Sequence, residues 1–310
     1  MKKSVAIIIL NWNAADDTIA CIQQISRWQH LRPVIWVVDN ASTDDSVERI
    51  RRSCPDVYLI CSSTNLGFAG GSNRGIQAAI QSGFSAILLL NNDAYISEEN
   101  VISLLETLDR HERIGFVGPL LYDSDQRSRL ISAGGKNPVL HHQTRVKTPS
   151  TTTPYQPVEA ISGTVVLIRG EIFRKVGFLD ESYFFSTELA DLCKRGQLAG
   201  YQCIIDCRAK AYHSIKRSAK FRDTLYIYYI VRNRFIYIRK FYGTISGFLL
   251  FFFWTLDGIV LSLKLILTKK SSSARAVWLG LIDGLRGRFG GQNERVLRYC
   301  LKTVEHSPNL

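Results

Sequence analysis

A chain of 310 residues, 46% hydrophobic and 21% charged, buries a sizeable core as one large domain or two small ones. That composition excludes intrinsic disorder, a collagen-like rod and a small disulfide scaffold. The formal charge of +12 is unevenly placed: residues 1–205 hold 20 Lys/Arg against 21 Asp/Glu, and residues 206–310 hold 19 against 6. A near-neutral body precedes a basic tail, and the tail is where a polyanionic partner is expected.

Lys2 and Lys3 precede only a few apolar residues, too short a run for a signal peptide and better read as the start of a first strand. Val5–Leu10, Val34–Val38, Val57–Cys61 and Ala86–Leu90 are short apolar runs bounded by polar turns, the pattern of parallel strands buried on both faces. Segments of helical length follow them, about Asp16–Arg27, Ser46–Arg52, Gly70–Ser82 and Ser97–Arg110. The alternation predicts an α/β fold, a mostly parallel Rossmann-like sheet flanked by helices. Residues 120–157 read as a polar surface excursion that either orders over a ligand or has no role. Beyond it, Ser162–Arg169 reads as a strand, Glu171–Val176 and Glu188–Ala199 as helices, and Tyr201–Asp206 and Ala209–His213 as two last strands. Seven scattered cysteines with no CxxC pair read as buried reduced thiols of a cytosolic protein.

Ligands of open α/β sheets bind beyond the carboxyl ends of the strands. Here four strand ends carry polar clusters: Asn11-Trp12-Asn13, Asp39 through Asp44, Asn65 through Asn73, and Asn91-Asn92-Asp93. One such cluster is ordinary turn chemistry; four on one sheet edge point to a nucleotide. Glycines 67, 70, 71 and 75 suit close approach of backbone to phosphate or sugar and the opening of a helix. The spacing is not GxGxxG, and no GxxxxGK[ST] is present. Asp93 suits a hard divalent cation whose sphere a diphosphate completes.

The phrases ILNWN, VVDNASTDDS, NLGFAGGSNRGI, LLLNNDA, ISGTVVLIRGEIF, VGFLDESYFF and ADLCKR together resemble family 2 glycosyltransferases, above all the rhamnosyltransferase-like branch of bacterial O-antigen and capsule synthesis. The resemblance covers about residues 4–215. It implies a GT-A fold, a nucleotide-sugar donor (dTDP-rhamnose first, a UDP-sugar second), a lipid-linked glycan acceptor and inversion at the anomeric carbon. It places Asn11 and Asp39 at the nucleobase and ribose, and Asn65, Gly71 and Asn73 near the donor. Asn91 and Asp93 stand at the metal motif, for Mg2+ or Mn2+, and His213 is the late histidine that completes the metal or diphosphate site. The family's Glu-Asp-x-Asp-Leu-Cys reads Glu188-Leu189-Ala190-Asp191-Leu192-Cys193 here, so leucine replaces the usual base. Glu188 is the expected substitute, with Asp191 as its structural or acceptor-binding neighbour; the alternatives are Asp191 merely pairing with Lys194 or Arg195, and a catalytically impaired sugar-nucleotide-binding scaffold.

The expected division is a glycosyltransferase domain over 1–220 and a helical, membrane-associating region over 221–310. In the tail, Tyr226–Tyr242 interleaves aromatic and basic residues, and the apolar run Ile245–Leu267 is interrupted by Asp257 and Lys264. Those charges favour a helix lying in a membrane interface, or a short hairpin, over a clean span; a buried core helix pair is the plain alternative. The expected partner is an anionic membrane surface, at the cytoplasmic face of the bacterial inner membrane. Nucleic acid is not expected, because Phe251-Phe252-Phe253-Trp254 is too apolar for a solvated groove. Arg222, Arg232, Asn233 and Arg234 are expected to meet either the acceptor's diphosphate or lipid headgroups.

Overall fold

The computed structural model describes residues 4–214 and 222–301, which form two compact units. The first holds residues 4–180 and 188–214; the second holds 181–187 and 222–301.

The first unit begins with β1 (Ser4–Asn11), α1 (Ala15–Ile25), β2 (Arg32–Asp39), α2 (Ser46–Ser53), β3 (Tyr58–Cys61), α3 (Gly67–Gln81) and β4 (Ala86–Leu90). It continues with β5 (Ala94–Ile96), α4 (Glu98–Asp109), β6 (Ile114–Asp123), β7 (Leu130–Ser132), β8 (Tyr155–Val158), β9 (Val165–Arg169), α5 (Glu171–Val176), α6 (Glu188–Leu198) and β10 (Gln202–His213). The sheet runs β3-β2-β1-β4-β9-β6-β10-β5, with β7 on β6 and β8 on β10. Strands β1 to β4 pair in parallel, so their carboxyl ends share one edge. Along β1, Val5, Ile7 and Ile9 enter one apolar layer and Ala6 and Ile8 the other. Burial on both faces is why these strands are unbroken apolar runs.

Four features differ from the sequence reading. Strand β9 runs antiparallel to both β4 and β6, so the sheet is mixed. Residues 120–157 are tied into that sheet by the end of β6, by β7 and by β8 rather than lying wholly as a surface excursion. Strand β10 is one strand with an irregularity between Asp206 and Lys210, not two. The cysteines are free, and five of the seven are buried; Cys61 is exposed and Cys207 half-exposed.

The second unit contains a 3-10 turn Glu181–Tyr183, a π-turn Arg222–Tyr226, and α7 (Ile227–Phe241), α8 (Thr244–Leu267), α9 (Ser271–Arg286) and α10 (Asn293–Leu301). Helix α9 meets α7 through small residues: a Cβ at Gly280 would lie 2.9 Å from the Tyr228 carbonyl oxygen. Helix α8 is continuous over 24 residues, not a hairpin, and is long and apolar enough to cross a membrane by length and composition. Only Gly247, Trp254, Gly258 and Ser262 on it are buried, which also removes the reading as a buried core helix. At about 100° per residue these four share one face. The exposed arc carries Phe248, Leu249, Phe252, Leu256, Leu263 and Ile266, and Ser246, Asp257 and Lys264 mark one of its borders.

Candidate active site

Parallel pairing of β1 with β2 sets Asn11 beside Asp39 at the shared sheet edge. Both are buried, and the Asn11 Nδ2 donates to Asp39 Oδ1 at 2.8 Å. Ser42 adds two bonds to the same carboxylate, from Oγ to Oδ1 at 2.6 Å and from its backbone N–H to Oδ2 at 3.0 Å. The Asn11 Oδ1 accepts from Thr18 Oγ1 at 2.7 Å, and Thr18 Oγ1 accepts from Asn92 Nδ2 at 3.0 Å. A continuous polar chain thus runs from Asp39 through Asn11 and Thr18 to the residue before Asp93. Just past the strands, Asn13 (φ 51°) and Ala41 (φ 61°) adopt left-handed backbone, costly for an alanine. The two loops are interlocked: Thr43 N–H donates to Asn13 Oδ1, and Asn13 N–H donates to Ser42 Oγ.

Asn65 accepts from Asn40 Nδ2 at 3.0 Å and from the Gly67 N–H at 2.9 Å, closing the turn into α3. Asn40 also accepts the Leu66 N–H, fastening that turn to the end of β2. Two expected donor residues are instead built into the scaffold. Helix α3 starts at Gly67, three residues earlier than expected, so Gly71 lies inside it; a Cβ there would strike Leu10 and crowd Asn40. Gly71 therefore lets the helix approach β1. Asn73 is buried and exchanges a pair of hydrogen bonds with the Leu179 backbone, at 2.9 and 3.1 Å, which ties α3 to the chain after α5.

Asn91 is half-buried, and its backbone N–H binds the Thr164 carbonyl at 2.9 Å. Antiparallel pairing of β5 with β10 sets His213 opposite Ala94, next in the chain after Asp93. His213 Nε2 and Asp93 Oδ2 consequently lie 3.1 Å apart, two residues far separated in sequence that converge. A carboxylate oxygen and an imidazole nitrogen are donors that Mg2+ or Mn2+ accepts. Among the described residues no group of three or more His, Cys, Asp or Glu gathers at one point. The pair supplies two donors, fewer than such a cation takes, so it fits a cation only with further ligands from outside these side chains.

Glu188 opens α6 and is buried, and its Oε2 has no hydrogen-bond partner. Burial pushes its carboxyl up to about 7; its own backbone N–H opposes the shift and the nearby Asp191 adds to it. Leu189, where the family's usual base is expected, is packed in the apolar layer between sheet and helix. Asp191 is fully buried and bound to Arg195 Nε at 2.6 Å. The same guanidinium reaches the carbonyls of Val176, Gly177 and Phe178. Asp191 thus holds the guanidinium that fastens the turn after α5.

The tail residues separate. The Arg222 side chain lies outside the described residues. Arg232 and Asn233, expected at a diphosphate or headgroup, are fully buried and spend their donors on backbone carbonyls of the second unit. Arg234 is half-buried with its guanidinium 3.7 Å from the centre of the Trp254 ring. Burial lowers its pKa to about 10, against the opposing field of Asp257. Asp257 thus interrupts an apolar helix within electrostatic reach of an arginine on α7. The structure also gives roles to Asn40, Ser42 and Asn92, which the strand-end clusters contain but to which the sequence assigns none, and it brings in Thr18, which lies in no cluster. Thr18 has no signal beyond a polar residue in the helix after the first strand.

The chain matches glycosyl transferase family 2 over residues 6–177, a span that includes Asn11, Asp39 and Asp93 and ends before Glu188 and His213. A low-salt glycan biosynthesis hexosyltransferase of Haloferax volcanii is 24% identical over 252 residues, 76% of each chain. An N-acetylglucosaminyl-diphospho-decaprenol L-rhamnosyltransferase of Mycobacterium tuberculosis is 30% identical over 210 residues, 59% of this chain and 67% of its own length. The mannosyltransferase of Pyrobaculum calidifontis, solved in complex with GDP-Man and Mn2+, superposes with a TM-score of 0.58 at 12% identity. That match covers 92% of this chain and 87% of the mannosyltransferase and establishes a shared GT-A fold. The chain belongs to glycosyl transferase family 2, and it is a glycosyltransferase.

Proposed function

We propose that the chain transfers one sugar, with inversion, from a nucleotide-sugar donor to a lipid-linked or growing glycan in bacterial surface polysaccharide synthesis. The first donor to consider is dTDP-rhamnose and the second a UDP-sugar. The observation that carries the reading is the buried Glu188 carboxylate with an unpartnered oxygen and a pKa raised to about 7. A base poised near the working pH is what removal of a hydroxyl proton needs. In the proposed step Glu188 takes that proton as the acceptor oxygen bonds to the anomeric carbon. The bond from that carbon to the diphosphate breaks, and the nucleoside diphosphate leaves. Asn11 and Asp39, held by Ser42 and Thr18, receive the nucleoside, with Asn65 and Asn91 beside it. Asp93 and His213 would hold a divalent cation, which would neutralise charge on the leaving diphosphate.

The second unit, α8 foremost, seats the enzyme on the cytoplasmic face of an anionic membrane. The support is physical: one face of α8 is covered by protein, the opposite arc is apolar and exposed, and the tail carries the excess of Lys and Arg. Each basic residue near such a surface is worth about 1 kcal/mol. We place α8 in the interface rather than across the bilayer because Asp257 and Lys264 interrupt its apolar run.

The test is transfer of labelled rhamnose from dTDP-rhamnose, or of sugar from a UDP-sugar panel, to an N-acetylglucosaminyl-diphospho-polyprenol in detergent with Mn2+. Labelled lipid is expected with the intact chain, and roughly 10²–10⁴-fold less with Glu188→Gln. Donor binding without transfer in both proteins supports the scaffold reading and overturns this one.

A further inference from the structure

Helix α1 turns Ala15, Thr18, Cys21, Ile22 and Ile25 into the core, and four of these five join its apolar layer. Thr18 is the member of that face with a hydroxyl, and it is fully buried. Valine has the same shape and would fill the position with no polar group to satisfy. The hydroxyl therefore needs a reason beyond packing.

The reason lies in the sense of its hydrogen bonds. The Asp39 carboxylate is an acceptor, and Asn11 meets it with Nδ2 at 2.8 Å. The Asn11 oxygen is thereby turned the other way, onto Thr18, whose Oγ1 donates its one hydrogen at 2.7 Å. Thr18 then has only lone pairs to offer, and Asn92 meets them with Nδ2 at 3.0 Å. Two amides, one ending β1 and one beyond β4, are thus set in sense by a single hydroxyl. Branching at Cβ leaves that hydroxyl few rotamers in a helix.

Asn92 also sits where a fixed side chain matters. The Ala94 N–H donates to the Asn91 carbonyl at 3.1 Å, which makes Asn92 and Asp93 the two central residues of a tight turn. Fastening Asn92 to α1 fastens that turn, and with it the Asp93 carboxylate that lies 3.1 Å from His213.

We propose that Thr18 is a positioning residue for both ends of the donor site, its hydroxyl orienting the Asn11 amide beside Asp39 and holding the turn that presents Asp93. The proposal rests on the reading of this sheet edge as the site of a nucleotide and a divalent cation. It assigns a task to the one hydroxyl on an otherwise apolar helix face.

The test is calorimetric titration of the full chain with dTDP, UDP and GDP over a range of Mn2+ concentrations, which needs no sugar transfer. Thr18→Val keeps the shape and removes the hydroxyl. For the nucleotide that binds, it is expected to weaken affinity at saturating Mn2+ about tenfold and to raise the Mn2+ concentration at half effect about tenfold. Thr18→Ser restores the hydroxyl and is expected to stay within about threefold of the intact chain on both measures. Asn92→Ala is expected to raise the Mn2+ requirement alone, and adding it to Thr18→Val is expected to raise that requirement no further. Thr18→Ser as weak as Thr18→Val would reduce the residue to a packing role and overturn the proposal. An unchanged Mn2+ requirement in Thr18→Val or Asn92→Ala would overturn it as well; if Thr18→Val does not fold, Asn92→Ala decides. An intact chain that binds none of the nucleotides, or binds one without regard to Mn2+, would instead sink the donor-site reading itself.

Discussion

At the scale of single residues, two buried carboxylates are driven in opposite directions. Burial raises Glu188 from 4.5 to about 7, so between those values the folded chain holds a proton that the unfolded chain has released. Its contribution to stability is therefore unfavourable, growing as pH rises through that window and complete above it. Glu188→Gln is expected to melt several degrees above the intact chain at pH 8, with the gap closing below pH 4.5. An equal or lower melting temperature at pH 8 would mean that the carboxylate is solvated or paired. Turnover has the opposite dependence and is expected to rise as pH passes about 7. For Glu98 burial alone would raise the pKa, yet the backbone N–H groups of Gln29, Leu31 and His30 outweigh it and hold the group at about 2. These bonds run from 2.6 to 2.9 Å. The folded pKa is depressed here, so the stability it gives is present above 4.5 and lost as pH falls toward 2. Glu98→Gln is expected to lower the melting temperature at pH 7 and to leave it unchanged near pH 2.

At the scale of elements, the contact of α3 with β1 rests on a missing side chain. Gly71→Ala sets a methyl group against Leu10 and Asn40, and Asn40 fastens the Asn65 turn. Overpacking of this kind costs about 1–3 kcal/mol; urea unfolding is expected to show it, with donor affinity falling as well. A neutral result would mean that the Leu10 side chain, whose δ-methyl is the atom struck, turns aside. The same contact shows what sequence can and cannot carry. Strands β1 to β4 are legible because burial on both faces writes an unbroken apolar run into each. Strands β5, β7 and β8, of three or four residues, exist through pairing with β6 and β10 and have no period of their own. Asp39, Asn11 and Asp93 are legible as polar clusters closing apolar strands. Asn73 is polar in the same stretch, yet its partner is the backbone of Leu179, which nothing local announces. Arg232 and Asn233 misled for a related reason: in a tail rich in Lys and Arg a basic residue reads as surface, whereas their partners are carbonyls some fifty residues away in sequence.

At the scale of the whole molecule, the uneven charge and the exposed arc of α8 bear on where the enzyme works. The chain is expected to sediment with phosphatidylglycerol vesicles, less so in 0.5 M salt because the Debye length shrinks to a few ångströms (about 3 Å at 1 M). Phe252→Glu combined with Leu256→Glu is expected to abolish sedimentation while leaving sugar-nucleotide binding intact; sedimentation that survives would remove α8 from the membrane contact. Ahead of the membrane, the reaction and the choice of acceptor comes the proposed binding of a sugar nucleotide, with a divalent cation, at the edge shared by Asp39, Asn11, Asp93 and His213. The most direct measurement is the melting temperature of the intact chain with dTDP-, UDP- and GDP-sugars, with and without Mn2+. A rise with one nucleotide class that requires the cation and disappears in Asp93→Ala is the expected result. No rise with any of them, or a rise that Asp93→Ala leaves in place, would contradict it.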